Sequence, residues 1–237
     1  RGCFNTCAFC VSGGEKPVRT LSIDAIRQRL QTIHRHGIQN VRVLDRTFNF
    51  NPRRAKELLN LFLEFHPHIR FHLEIHPALL SEELKSELQK LPKGLLHLEA
   101  GIQSLREPVL EKCRRLGKLS DALEGLKFLC SLDNMETHAD LIAGLPLYRL
   151  NEIFEDILSL AEYQAGEIQL ESLKLLPGTE MRRRAEELGI RYSPLPPYEV
   201  LQTHEITTDE LQVARRLSRL LDAYYNTPAW QVLTRKL

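Results

Sequence analysis

Three cysteines fall within eight residues, as Cys3, Cys7 and Cys10 of the run Cys-Phe-Asn-Thr-Cys-Ala-Phe-Cys. Thiolates are the usual ligands of iron–sulfur clusters, and three of them on one short loop can hold three irons of a [4Fe–4S] cluster. The fourth iron then has no protein thiolate and stays open to another ligand. Gly2, Gly13 and Gly14 flank the loop and let the backbone turn tightly around a metal group. A structural zinc with three Cys and one His is the competing reading. It is the weaker one, because no His lies near the loop and the spacing is not a doubled C-x2-4-C. Cys113 and Cys130 sit in helical patterns and read as small core hydrophobes. Five cysteines in 237 residues is an odd and modest count. It argues against a secreted disulfide scaffold and for a reducing, cytoplasmic setting.

A loop of this kind needs a scaffold, and the remaining sequence alternates short β-rich runs with helical ones. Residues 41–45, 71–75, 95–101, 137–143 and 168–173 read as strands. Helices are signalled by N-caps at Ser22, Asn51, Ser81 and Thr179, with Pro52 at a first helical position. Further helical stretches follow Gln103, begin near Ser120 and run from about Asn151 to Tyr163. Strand starts lie 24 to 42 residues apart, room for a strand, a crossover helix and two loops. Repeated units of this type give a parallel sheet, open or curled into a barrel. After Tyr192 the pattern changes to a Pro-rich break, Ser-Pro-Leu-Pro-Pro-Tyr. Thr207 and Glu210 then form a capping box before a helix with Leu211, Ala214, Leu217 and Leu221 on one side.

The cysteine spacing, with an aromatic before the last Cys, resembles the cluster loop of the radical S-adenosylmethionine (SAM) superfamily. Further runs support the resemblance in order along the chain: His-Leu-Glu-Ile-His-Pro at 72–77, Gly-Ile-Gln-Ser at 101–104, Asp-Leu-Ile-Ala-Gly-Leu-Pro at 140–146 and Leu-Pro-Gly-Thr at 176–179. Residues 41–59, 171–181 and 220–226 most resemble cobalamin-binding members. The resemblance implies an α/β fold, a partial (β/α)6 barrel over residues 1–190, with residues 191–237 a helical extension packed on it or capping it. It implies a [4Fe–4S] cluster that reductively cleaves SAM to a 5′-deoxyadenosyl radical, which abstracts hydrogen from a small-molecule substrate. The reaction this resemblance implies is a cobalamin-dependent methyl transfer; porphyrinogen oxidation and methylthiolation are the alternatives within the superfamily. A non-catalytic metal module with structural zinc is the alternative outside it. Methylthiotransferases need a further cluster, for which Cys113 and Cys130 are too few.

Site residues are implied position by position. Cys3, Cys7 and Cys10 would hold the cluster. Glu74 and Gln103 match polar residues at the ends of successive strands, near the cofactor. Arg115 matches an arginine that approaches the cofactor carboxylate, a task suited to a guanidinium fork. Asp140 matches the acid that binds ribose hydroxyls. Leu176, Pro177 and Gly178 would run along the adenine. Asp45, with Arg46, Thr47 and Phe48, stands where many relatives carry a glycine-rich segment that binds the amino group. The partners implied are an electron donor of flavodoxin or ferredoxin type and an N-terminal cobalamin domain. The chain opens directly before the cluster loop, so the expectation is a catalytic core that lacks the first barrel strand and the cobalamin domain.

Other groupings carry less. His72, Glu74 and His76 share one face of a strand and could bind zinc or non-haem iron, but a single strand supplies poor three-point geometry. His34, His36, His66 and His68 lie near helix ends, where imidazole is favourable. Arg182–Arg184 and Arg215–Arg216 read as solvated helix faces. No base-stacking aromatics interleave with them, so nucleic acid is not the expected partner. The balance of 32 basic and 31 acidic residues gives a net charge of +1, which removes bulk electrostatics as a reason for binding nucleic acid or an anionic membrane. No apolar run reaches the roughly 20 residues that span a bilayer.

Overall fold

The computed structural model describes residues 2–230. Five parallel strands form one sheet in sequential order: β1 (Asn40–Val43), β2 (Arg70–Ile75), β3 (Leu96–Gln103), β4 (Glu136–Ala143) and β5 (Glu167–Ser172). Each lies within three residues of its expected start. The helices between them are α1 (Ile23–Arg35), α2 (Pro52–Leu63), α3 (Glu82–Lys90), α4 (Glu107–Lys112), α5 (Leu119–Cys130) and α6 (Leu150–Glu162). Local signals explain the starts. Ser22, Asn51 and Ser81 each accept a backbone N–H from the third residue onward, at 3.2, 3.1 and 3.2 Å.

Period-2 alternation sets up two unlike faces. Phe71, Leu73 and Ile75 of β2 and Leu96, Leu98, Ala100 and Ile102 of β3 are buried in the main core. The alternate residues Arg70, His72 and Glu74, and His97, Glu99, Gly101 and Gln103, are only partly buried and share the other face. Strands of parallel sheets are usually apolar on both faces. A polar inner face therefore marks a surface that lines space rather than core. The register places Glu74 beside Glu99, His72 beside His97, and Glu99 beside His138.

Beyond β5 the structure departs from the expected pattern. The helix capped by Thr179 is only α7 (Glu180–Arg183), because Ala185 and Gly189 bond three residues back and turn the chain more tightly. The Pro-rich break is enclosed by a short antiparallel hairpin of β6 (Arg191–Tyr192) and β7 (Val200–Gln202). Strands of two and three residues leave no periodic trace in a sequence. Thr207 and Glu210 close a reciprocal capping box at α8 (Thr208–Leu220), which passes into a π-helical turn, Leu221–Tyr225. Asn226 then exchanges two hydrogen bonds with the backbone of Ile168, at 2.9 and 3.0 Å. The Tyr225 hydroxyl donates to Ala165 O at 2.7 Å. These contacts cover the outer edge of β5. The expected extension also includes residues 231–237, which lie outside the described residues. No helix among the described residues is long and apolar enough to cross a membrane.

Candidate functional site

The cysteine loop is folded by its own backbone and then tied to three distant elements. Cys10 N donates to Cys7 O and Gly13 N to Cys10 O, each at 3.1 Å. A Cβ on Gly13 would stand 2.5 Å from Cys7 O and 3.1 Å from Cys10 O, so only glycine closes this turn. Ala8 N donates to Cys113 O and Met181 N to Ala8 O, both at 2.8 Å. The buried Asn5 side chain accepts from Leu116 N at 3.0 Å. The loop therefore sits at the C-terminal ends of the strands, where parallel α/β folds bind their ligands.

There, Cys3, Cys7 and Cys10 line one cavity of about 150 Å³ together with Glu74, Gln103, Arg115 and Asp140. Seven of the residues singled out in the sequence, from five separate stretches of chain, thus face one space. Arg115 reaches across it: its guanidinium bonds Gly101 O and comes within 3.8 Å of Cys7 Sγ. A side chain on Gly101 would collide with Gln103 Nε2 at 2.6 Å, so glycine keeps the floor of the cavity open. Asp45, Leu176, Pro177 and Gly178 are not in this lining. Asp45 Oδ1 accepts Thr47 N at 3.3 Å, which turns the chain after β1 so that Arg46 and Thr47 face the cavity instead. Leu176 O and Gly178 O accept from Thr179 Oγ1 and Arg183, both at 2.8 Å.

Several lining residues were not singled out as site residues: Asn5, His76 and Glu99, with Arg46 and Thr47 considered only beside Asp45. Glu99 was legible in principle, since it precedes Gly101 and Gln103 at period 2 on the same strand face. Arg46 bonds Glu74 at 3.2 Å. Burial raises the Glu74 carboxyl; Arg46 draws it partly back and Glu99 raises it further. Burial, opposed by His138 and aided by Glu99, pushes Asp140 up to about 7. Glu99 differs: against its burial, His138, His72 and Arg42 hold it down at about 2. Burial and then Arg115 keep His76 neutral, at about 3. Its Nε2 donates to Leu116 O at 3.1 Å. Burial raises the Cys7 thiol, with Arg115 pulling the other way.

Two observations bear on what the residues can hold. Among the described residues, the triples whose ligand atoms all lie within 4.8 Å of one another do not include the three cysteines. A single tetrahedral zinc needs its sulfurs about 3.8 Å apart, so the thiols as placed do not form a closed zinc site. Asp140 Oδ1 is buried with no hydrogen-bond partner, so an acceptor stands ready for a donor from a bound molecule. Cys113 is buried in the core, its thiol pushed up to about 12 by burial. That holds it protonated and unfit as a ligand. A larger cavity, about 510 Å³, lies at the opposite, N-terminal ends of β4 and β5, away from the sulfurs.

Comparison with known proteins places the chain in a family. The family model described as "Radical SAM superfamily" matches residues 1–161, and one described as "Protein of unknown function (DUF4080)" matches residues 186–234. A tRNA-2-methylthio-N(6)-dimethylallyladenosine synthase of Herpetosiphon aurantiacus is 24% identical over 195 residues, 76% of this chain and 43% of that protein. The cobalamin-dependent radical SAM methyltransferase TokK of Streptomyces tokunonensis is 23% identical over 208 residues, 84% of this chain and 30% of that protein. The chain thus spans less than half the length of these relatives. The structure of the radical SAM methyltransferase TsrM from Kitasatospora setae, with tryptophan and a SAM analogue, superposes with a TM-score of 0.68 at 19% identity. That match covers 82% of this chain and 40% of TsrM.

Proposed function

The chain belongs to the radical SAM superfamily, and from that premise we propose that it is the core of an enzyme that uses a [4Fe–4S] cluster and SAM to start radical chemistry on a small molecule. The carrying observation is the shared cavity: Cys3, Cys7 and Cys10 open onto the same space as Glu74, Gln103, Arg115 and Asp140. In this reading the three thiolates would hold three irons of the cluster and leave one iron without a protein thiolate. Bound there, cluster and SAM supply one-electron reductive cleavage of a sulfonium carbon–sulfur bond.

The chain's own residues bind and orient. Arg115 exchanges its bond to Gly101 O for the cofactor carboxylate, a bidentate match. Asp140 accepts the ribose hydroxyls with an oxygen that otherwise lacks a partner. Glu74 and Gln103 receive the amino end, with Arg46 turning Glu74 toward the cavity. Leu176 to Gly178, at the end of β5, form the adenine wall. Asp45 contributes by shaping the turn that presents Thr47, whose Oγ1 lies 3.6 Å from Cys3 Sγ. The cobalamin-dependent relative favours methyl transfer as the branch of chemistry, with cobalamin supplied by a separate domain and the electron by a flavodoxin or ferredoxin.

Anaerobic reconstitution with iron and sulfide tests this. The wild-type chain should take up about four irons, the content of the cluster, turn brown, and cleave SAM under reductant. Cys7→Ala should do neither while keeping its circular dichroism spectrum. SAM cleavage by the Cys7→Ala protein would refute the assignment.

A further inference from the structure

Below the sulfur cavity the inner face carries a layer of imidazoles that the proposed function does not use. His72, His97 and His138 come from β2, β3 and β4, and register brings them side by side with Glu99. Their rings lie 4.7 to 5.5 Å apart, centre to centre. Burial and the two neighbouring imidazoles hold His97 down at about 4, whereas Glu99 and Asp140 draw His138 up against its burial.

The hydrogen bonds in the layer leave one atom over. His72 Nε2 and Glu99 Oε2 are 2.7 Å apart. His97 Nε2 and His138 Nδ1 are 2.8 Å apart. His138 is only 3% exposed, yet its Nε2 has no hydrogen-bond partner. That nitrogen stands 3.4 Å from Asp140 Oδ1 and 3.7 Å from Glu99 Oε2, without the alignment of a hydrogen bond. A buried nitrogen left in this state is a departure that needs an occupant.

We propose that His72, Glu99 and His138 form a second metal site, independent of the cysteines, for a divalent first-row transition ion such as zinc. A ligand atom from each lies within 4.8 Å of the other two. Tetrahedral ligands at about 2.0–2.1 Å from a metal stand about 3.4 Å apart. The observed 2.7 and 3.7 Å from Glu99 Oε2 bracket that value, and the Arg42 guanidinium that bonds the same oxygen must turn away for an ion to enter. Two imidazoles and one carboxylate suit zinc, iron or cobalt better than magnesium or calcium. Binding takes both rings through Nε2 with their remaining hydrogen on Nδ1, and the extra proton of any imidazolium form is released to solvent. His97 acts behind His138: its bond to Nδ1 turns the ring so that Nε2 faces the site. Three protein ligands leave a coordination position open. Glu99 lines the sulfur cavity, and His72 lines a neighbouring cavity of about 360 Å³. The ion would therefore sit between the two and could anchor an oxygen or nitrogen of a molecule bound in the barrel.

Cobalt(II) titration of the full chain tests the site, using a Cys3→Ser, Cys7→Ser, Cys10→Ser background so that no loop thiolate can bind. The expected result is one Co²⁺ per chain, with visible d–d bands and no thiolate-to-cobalt charge-transfer band, displaced by Zn²⁺. His138→Gln and His72→Gln should each weaken binding by more than about 10-fold. His34→Gln with His68→Gln, at a surface histidine pair, should leave it unchanged. If His138→Gln fails to fold by circular dichroism, His72→Gln decides, since His72 is more exposed. No binding by the folded triple-serine protein, or binding indifferent to His72→Gln and His138→Gln, would overturn the site. Because the background lacks the cluster ligands, neither outcome depends on the radical SAM reading.

Discussion

Replacing Asp140 with asparagine should stabilise the cofactor-free protein near pH 8 and at the same time weaken its hold on SAM. The Asp140 side chain is 14% exposed. Burial and the Glu99 charge, against the pull of His138, move its carboxyl from 3.8 to about 7. The unfolded chain ionises near the lower value and the folded chain near the higher. Between them the folded state holds the extra proton, so stability falls as pH rises from about 4 to about 7 and levels off beyond. At about 1.4 kcal/mol per pH unit, the ionised carboxylate costs the fold up to about 4 kcal/mol near pH 8. His138 shares the proton and lowers that ceiling. Asparagine keeps the shape and removes the charge. Urea unfolding of wild type and Asp140→Asn at about pH 4.5, 6 and 8 reads the difference directly. It should be about 1 kcal/mol at the lowest pH and grow to about 2–4 kcal/mol at the highest. A difference that does not vary with pH, or a variant less stable at pH 8, would refute the electrostatic account. In the cluster-loaded protein the same variant loses hydroxyl-to-carboxylate bonds worth about 1.5–3 kcal/mol. Isothermal titration should then show SAM binding weakened about 10- to 100-fold.

Two further predictions concern how the site is held. Asp156 is 1% exposed and accepts from Ser104 Oγ, Leu105 N, Tyr148 OH and Arg106 Nε at 2.6 to 3.2 Å, just beyond Gln103. Asp156→Asn forces an amide NH2 against one of these donors. It should cost about 3 kcal/mol and lower the thermal midpoint by about 6–12 °C; a shift under about 2 °C would show that the network is dispensable. Gly13→Ala drives a methyl into Cys7 O and Cys10 O, overpacking worth about 1–3 kcal/mol in the loop alone. Iron uptake on reconstitution should fall several-fold while the melting of the barrel changes little, and normal iron content would contradict the loop geometry.

The sequence was most legible where one residue type does one local job. Cys3, Cys7 and Cys10 declare a metal loop by identity and spacing, whatever surrounds them. Ser22, Asn51 and Ser81 cap helices through bonds that span three residues, and Phe71, Leu73 and Ile75 reveal a strand by alternation alone. Such signals involve neighbours along the chain, so no tertiary knowledge is needed to read them. The hairpin at Arg191–Tyr192 and Val200–Gln202 escaped because strands that short have no period. The truncated helix after Thr179 escaped because a good cap marks a beginning and says nothing about length.

The histidine layer shows where reading along the chain stops. Its residues lie 25 to 66 positions apart, and within β2 the sequence offered only His72, Glu74 and His76, strung along one strand. Sheet register instead sets His72 beside His97 and Glu99 beside His138. Register depends on how whole strands pack against helices, a property no single segment carries. The same holds for charge: nothing local distinguishes Glu99 from Asp140, both acids on inner strand faces. Only three-dimensional burial and the placement of His138, His72 and Arg42 hold one down at about 2 and push the other to about 7. The chain by itself therefore determined the candidate sulfur ligands, the parallel α/β plan and most of the cavity's polar residues. The tertiary structure alone decided which of them face one another and in what charge state, because electrostatics and coordination act through space.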